Sequence, residues 1–489
     1  MSLTMEPEGF SDIPSQAESD DYPSTSKTDV ETDKYGFTGG TQYTDPDSED
    51  ISAAKLRERE SKWLRMLDNW NKWMSKKFPK VKQRCRKGIP SSLRGRAWQL
   101  LCGSKQLHSQ QPKQYQELLN MEATQHDVEC IEKDLHRQFP FHEMFAQRGG
   151  TGQQDLHDVL YAYSNYNRGD GYCQAQAPVA AVLLMHMPAE EAFWCMVAMF
   201  EYYIPGYYSP GLEVVQVDGN IMQGLLKKVA PHAYKHLEKH NVSPMLYCTE
   251  WFMCIFSRTL PWPSVLRLWD MFFCEGIKII FRCGLVLLRS TIGQPQTLKK
   301  LPGLYETMER LRGIDMVIMQ PERLMFQIIN LKIDEEDLEA EHKRQQKIWK
   351  KQHPSEAKDV KRLFRYTPTH SRSRSMSQPS AIKTKKKLNT VSVNTPEMLQ
   401  QAAEYEKNTL RPKKSPPKAQ QNGPVQLTEF KKYSDDNHLL YTANGSVKGK
   451  QSLDTNAAKS LPEIHLNESD NASPNSRAGA QVKTKGSAL

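Results

Sequence analysis

No run of about 18 apolar residues, the length that suggests a membrane-spanning helix, occurs in the chain. Pro178 and His186 interrupt the longest candidate, and Arg282 and Arg289 flank the next. The first residues lack a basic start followed by an apolar stretch, so no secretory leader is expected. No HExxH, P-loop or G-x-S-x-G element is present, which leaves metal sites, direct nucleotide binding and serine hydrolysis without a motif. CxxC pairs are also missing. The nine cysteines all fall between Cys85 and Cys283 among mostly apolar neighbours, and this odd, unpaired set predicts reduced, buried thiols in the cytosol. Apolar residues make up only 38% of the 489 and the mean hydropathy is −0.68, so polar tails must dilute a compact middle.

Residues 1–50 are rich in Ser, Thr, Asp and Glu and predict an acidic disordered tail. Tyr35-Gly36-Phe37-Thr38-Gly39-Gly40 is its exception, an aromatic and glycine patch that reads either as a docking segment or as a mobile linker. Within 51–87, Trp63, Leu67, Trp70 and Met74 share one face and predict a packing helix from Ala53 to Lys77, ended by Pro79. The basic run Lys82 to Lys87 could touch phosphate or an acidic partner face, but reads first as a solvated segment. Ser91 is placed to cap the first helix of a domain spanning 88–290. From Glu190 onward apolar spacing stays helical, with Pro205, Pro210, Pro231, Pro244, Pro261 and Pro263 as boundaries, and strand alternation never persists. The expected fold is all-α, built of many short helices. C-terminal helices fill 291–352, the last from Asp334 to Lys351, and residues 353–489 read as a disordered basic tail.

The stretch from Ile131 to Gln174 organises this domain. Ile131-Glu132-Lys133-Asp134-Leu135-His136-Arg137 opens it and Gly171-Tyr172-Cys173-Gln174 closes it. Between them lie a loop, Arg148 to Gly152, and a helical segment, Leu156 to Tyr163, so that helix, loop, helix and turn can bring Arg137 and Gln174 together. Taken alone, Arg137 is a surface arginine paired with Asp134 at i,i+3, and Gln174 an ordinary polar residue at a helix start.

IxxDxxR followed by YxQ resembles the finger motifs of the TBC domain, the all-helical domain of GTPase-activating proteins for Rab GTPases. Gly88-Ile89-Pro90, Arg94, Trp98, Glu250-Trp251-Phe252, Leu260-Pro261 and Leu268-Trp269-Asp270 to Gly276 follow in the family's order, about Gly88 to Arg289. The resemblance implies that Arg137 and Gln174 are supplied in trans, with Asp134 positioning Arg137, Tyr172 packing, and Arg94 and Trp98 stabilising the scaffold. It implies no cofactor of the chain's own, GTP and Mg belonging to a Rab GTPase in its GTP form. Ala175 departs from a common glycine, and Leu135 and Gln138 from valine and threonine. The run Gly171 to Pro178, with Thr249 to Phe256, is similar to the TBC subfamily that binds the ezrin-associated PDZ scaffold of microvilli.

Two addresses stand in the tail. Arg374-Ser375-Met376-Ser377-Gln378-Pro379 resembles a 14-3-3 site carrying phosphate on Ser377. The ending Ser487-Ala488-Leu489 has the hydroxyl and aliphatic pattern that a PDZ groove reads. The formal charge of +9 is concentrated in tail lysines without aromatic platforms, which favours weak peripheral attraction to an anionic membrane, or plain solvation, over nucleic acid. The leading expectation is a cytoplasmic Rab GTPase-activating protein recruited to the plasma membrane, microvilli or other actin-rich projections. The alternatives are a non-catalytic GTPase-docking adaptor or a cytoskeletal scaffold.

Overall fold

The structure is a computed structural model that describes residues 32–44 and 51–353. The tail motifs at Arg374, Ser377 and Pro379 and at Ser487, Ala488 and Leu489 lie outside the described residues. Among those described, the chain runs as 20 α-helices and one π-helical turn, Met199–Tyr203, with no strand. One isolated antiparallel bridge joins Phe37 to His142. The all-α expectation holds, and proline punctuation explains much of it. Pro231 and Pro263 occupy the first turns of the helices Pro231–Lys239 and Trp262–Glu275, where the N–H they lack would have no helical partner.

The N-terminal helices differ from expectation. The chain breaks after Ala53–Leu67 and restarts as Trp70–Lys76, so the predicted single helix is two. Pro79 opens a third, Phe78–Arg86, by occupying its second position, where proline's fixed φ favours a start over a stop. The basic run therefore lies on a helix, and it is not simply solvated. Arg86 grips the carboxylate of Glu275 with Nε at 2.6 Å and a terminal nitrogen at 2.8 Å, and Lys82 joins at 2.9 Å. Burial pushes Glu275 up, but these two cations outweigh it and hold the carboxyl below its ordinary value. Ser91 is the first residue of the helix Ser91–Cys102 and makes no side-chain cap; Pro90 holds the cap position.

Asp270 ties the scaffold motifs together. Its fully buried carboxylate accepts from the backbone N–H of Ile89 at 2.7 Å, from Trp98 Nε1 at 2.8 Å and from Arg94 Nε at 3.3 Å. Arg94 also donates to the carbonyl of Ile89 at 2.7 Å. Removing one member of a buried charge pair costs about 3–5 kcal/mol, so this knot makes Gly88-Ile89-Pro90, Arg94, Trp98 and Asp270 one structural unit. Trp98 then packs on Trp269 and Phe273, with ring centroids 5.6 and 5.1 Å away, at the centre of the core.

The final helix, Glu335–Gln352, starts at an Asp334–Asp337 capping box. It closes the domain by burying Leu338 and Trp349, while Lys228 donates to both oxygens of Asp337 at 2.7 Å. The segment 32–44 is also part of the domain: Phe37 is 1% exposed. The boundary expected at residue 50 thus falls too late, because an aromatic wedge overrides the polar composition around it. All nine cysteines are free, but Cys130 and Cys173 are only half-buried, against the expectation of uniform burial.

Candidate functional site

The helix Gln125–Leu135 carries the first motif. Thr124 caps it, its hydroxyl accepting from the N–H of Asp127 at 3.1 Å. Ile131 is fully buried and Asp134, on the same face, nearly so. Arg137 follows two residues after the last helical position and folds back, donating from Nε to Asp134 Oδ1 at 2.7 Å and from a terminal nitrogen to the same oxygen. Its side chain keeps 24% exposure against 8% for Asp134, so the guanidinium is the member of the pair that a docking surface can reach. Gln138, 2% exposed, donates to the carbonyl of Asp134 at 3.1 Å and closes the helix end.

The second motif sits in the turn between the helices Thr151–Tyr166 and Gln176–Leu184. The first of these begins at Thr151, so the expected loop from Arg148 is shorter than predicted. Gly152 lies inside that helix, where a Cβ would meet the carbonyl oxygen of Met144 at 2.0 Å. Gly171, at φ +64, lets the chain reverse after the helix, and its N–H donates to the carbonyl of Asn167 at 2.9 Å. Asp127 receives the N–H of Tyr172 at 2.9 Å. The Tyr172 hydroxyl donates to Asp134 Oδ2 at 2.6 Å.

Tyr172 therefore does more than pack. Asp134 accepts Arg137 on one oxygen and Tyr172 on the other, so two hydrogen-bonded steps join the two motifs, and Gln174 follows two residues beyond Tyr172. Burial, followed by the nearby Asp134 carboxylate, pushes the Tyr172 hydroxyl far up, so it stays a donor at every physiological pH. Gln174 is exposed and makes no side-chain hydrogen bond among the described residues, leaving its amide able to accept from one group and donate to another. Burial raises the Cys173 thiol, which makes it a poor nucleophile. Arg94 and Trp98 belong to the Asp270 knot and stand apart from this pair.

Sequence reasoning missed Asp127, which anchors the turn of the second motif. Its signal was the Thr124-x-x-Asp127 spacing of a helix start. Asp270 carries no sequence signal beyond its place in the Leu268 to Gly276 motif, and its partners are invisible in one dimension. Among the described residues, no group of three or more His, Cys, Asp or Glu side chains is placed to hold a metal ion.

Fold and site define an all-helical domain in which the arginine of one motif is linked through Asp134 to the tyrosine of a second motif that carries a glutamine. The RabGAP-TBC family, described as the Rab-GTPase-TBC domain, matches residues 91–295. TBC1 domain family member 10B of Mus musculus is 57% identical over 319 residues, which is 65% of this chain and 40% of the relative. TBC1 domain family member whacked of Drosophila melanogaster is 48% identical over 313 residues, 64% of this chain and 86% of the relative. The solved Chlamydomonas flagellar RabGAP TBC domain is 26% identical, covering 61% of this chain and all of its own, with a TM-score of 0.48. The chain belongs to the TBC domain family. It spans only two fifths of the length of the mouse relative.

Proposed function

We propose that the chain is a GTPase-activating protein for Rab-family GTPases, with Arg137 and Gln174 as its two fingers. The observation that carries this reading is the shared carboxylate of Asp134, which couples Arg137 to the loop of Gln174 through Tyr172. The GTPase brings the nucleotide and its Mg. Arg137 turns from Asp134 toward the transferring phosphoryl group, where its planar fork of donors spreads over the oxygens that gain charge. Asp134 holds the guanidinium until then and limits the conformations it must leave. Gln174 accepts a hydrogen bond from the attacking water and donates to a phosphoryl oxygen, aligning the attack. An arginine finger accelerates hydrolysis by about 10³- to 10⁵-fold, or roughly 4–7 kcal/mol of barrier. An adaptor that only docks a GTPase has no chemical need for either side chain.

The first test is single-turnover hydrolysis across a panel of purified Rab proteins loaded with GTP, with and without the full chain. One or a few should be accelerated, and a panel wholly unaffected would refute the reading. The subfamily resemblance supports action at the plasma membrane and its actin-rich projections, with the ezrin-associated PDZ scaffold as a partner. Phosphorylated Ser377 is proposed as a 14-3-3 site; equal 14-3-3 binding by wild type and Ser377→Ala after kinase treatment would remove it.

A further inference from the structure

The chain leaving Arg137 runs at once into a buried junction that the two motifs do not explain. Phe139 has φ +44, a left-handed conformation that a bulky side chain keeps only where its surroundings hold it. What holds it comes from the far N-terminal side of the sequence. Phe37 is 1% exposed and packs edge-on to Trp262 at 5.1 Å and to His142 at 4.9 Å, and Phe139 leans on Phe37 at 6.3 Å and Trp262 at 5.7 Å. Backbone pairing fixes the same contact: the Thr38 N–H donates to the carbonyl of Phe141 and the Glu143 N–H to the carbonyl of Gly36, both at 2.8 Å. His142 Nε2 lies 2.9 Å from the carbonyl of Tyr35.

The segment is itself a closed unit. The buried carboxylate of Asp33 accepts from the N–H groups of Tyr35 at 2.8 Å, Phe37 at 2.9 Å and Thr44 at 2.8 Å, which folds residues 33–44 into a loop around one anion. Gln42 adds a second attachment by donating to the carbonyl of Ser257. Close approach is built in: at Gly36, φ +94, a Cβ would meet His142 Nε2 at 2.8 Å, and at Gly40, φ +80, it would meet the Phe141 ring at 2.7 Å. The segment itself lies before the matched family span, which begins at residue 91, whereas the residues it packs against lie inside that span.

We propose that residues 33–44 form a strap that positions the Arg137 finger, with Phe37 as the positioning residue. Phe37 wedges against Phe139 and Trp262, fixes the left-handed turn two residues after Arg137, and so sets where the guanidinium starts from. The strap touches neither nucleotide nor phosphate; it acts through the loop. This rests on the proposed activity for its catalytic consequence, but its structural claim stands apart.

Two measurements on the full chain test it, using wild type, Phe37→Ala, the conservative Phe37→Leu, and Thr38→Pro, which removes a bridge hydrogen bond and leaves the wedge in place. Amide hydrogen exchange without any GTPase reads the loop alone. Residues 137–143 should exchange about tenfold faster or more in Phe37→Ala and Thr38→Pro, while Trp262–Glu275 stays protected. Unchanged exchange at 137–143 overturns the strap, whatever the protein does to Rab proteins. Hydrolysis on the Rab that wild type accelerates reads the consequence. There kcat should fall about 10- to 100-fold with KM within about twofold, and Phe37→Leu should restore most of it. A loss confined to KM, or full activity in Phe37→Ala, overturns the positioning role. Should wild type accelerate no Rab, the proposed activity fails and the exchange result alone decides the strap.

Discussion

Replacing Tyr172 with phenylalanine removes one oxygen and leaves the ring in place. In the wild type that oxygen donates to Asp134 Oδ2 at 2.6 Å, while Arg137 Nε donates to Oδ1 at 2.7 Å. The Asp134 side chain is only 8% exposed, so water has little access to an oxygen left without its donor. Two consequences oppose catalysis. The freed oxygen can take a second donor from Arg137, which strengthens the hold that the finger must break. The loop of Gln174 also loses one of its ties, keeping Tyr172's backbone bond to Asp127. A hydrogen bond to a charged group contributes about 1.5–3 kcal/mol, which translates into roughly a 10- to 150-fold fall in hydrolysis if it is spent on positioning. The assay is single-turnover GTP hydrolysis on an accelerated Rab, paired with thermal unfolding. The unfolding midpoint should drop only a few degrees, since about 1–3 kcal/mol spread over a domain of this size shifts it by that much. Hydrolysis within twofold of wild type would refute the coupling of the two motifs through Asp134.

Asp270→Asn should destabilise the domain by about 3–5 kcal/mol, because Arg94 stays buried without its counter-charge; an unfolding midpoint unchanged in differential scanning fluorimetry would contradict the knot. Arg137→Lys keeps the charge and loses the planar fork, so most of the finger's about 10³-fold or greater acceleration should vanish with circular dichroism unchanged. Asp218 gives a pH prediction. It is buried beneath the Tyr207 hydroxyl, 2.5 Å away, and burial raises its carboxyl to about 7. The native state thus holds a proton that the unfolded chain releases near pH 4, so this contribution is complete below about pH 4 and is lost as pH rises to about 7. Across that window the stability gap between wild type and Asp218→Asn should shift by up to about 1.4 kcal/mol per pH unit, and denaturant titrations giving parallel curves from pH 4.5 to 8 would rule it out.

Much of this architecture is legible in one dimension because helices are local. Apolar spacing marks the helix around residues 156–163, proline positions bound helices from Glu190 onward, and the helix from Glu335 declares itself by acidic residues at its start. What fails is instructive. The break between Leu67 and Trp70 interrupts an uninterrupted apolar stripe, so periodicity alone could not find it. Pro79 signals a stop in the sequence, yet its fixed φ opens the helix Phe78–Arg86. Phe37 sits in an aromatic and glycine patch that composition leaves open between docking and a mobile linker, and only its contacts with Trp262 and His142, more than a hundred residues away, decide for docking. The candidate site divides in the same way. Arg137, Gln174 and Asp134 stand in spaced motifs, whereas the Tyr172 to Asp134 bond spans 38 residues and has no sequence signal beyond the tyrosine itself. A fragment starting at residue 51 would look complete by composition and would lack the strap.

We propose that Arg137 and Gln174 act as a coupled pair on a bound GTPase. The most direct test is single-turnover GTP hydrolysis on an accelerated Rab by the full chain and by Arg137→Ala, Gln174→Ala and the double variant. Each single substitution should remove most of the acceleration, and the double should cost little more than the worse single, as expected for residues that work as a unit. Acceleration that survives in both single variants would place the chemistry elsewhere and contradict the account.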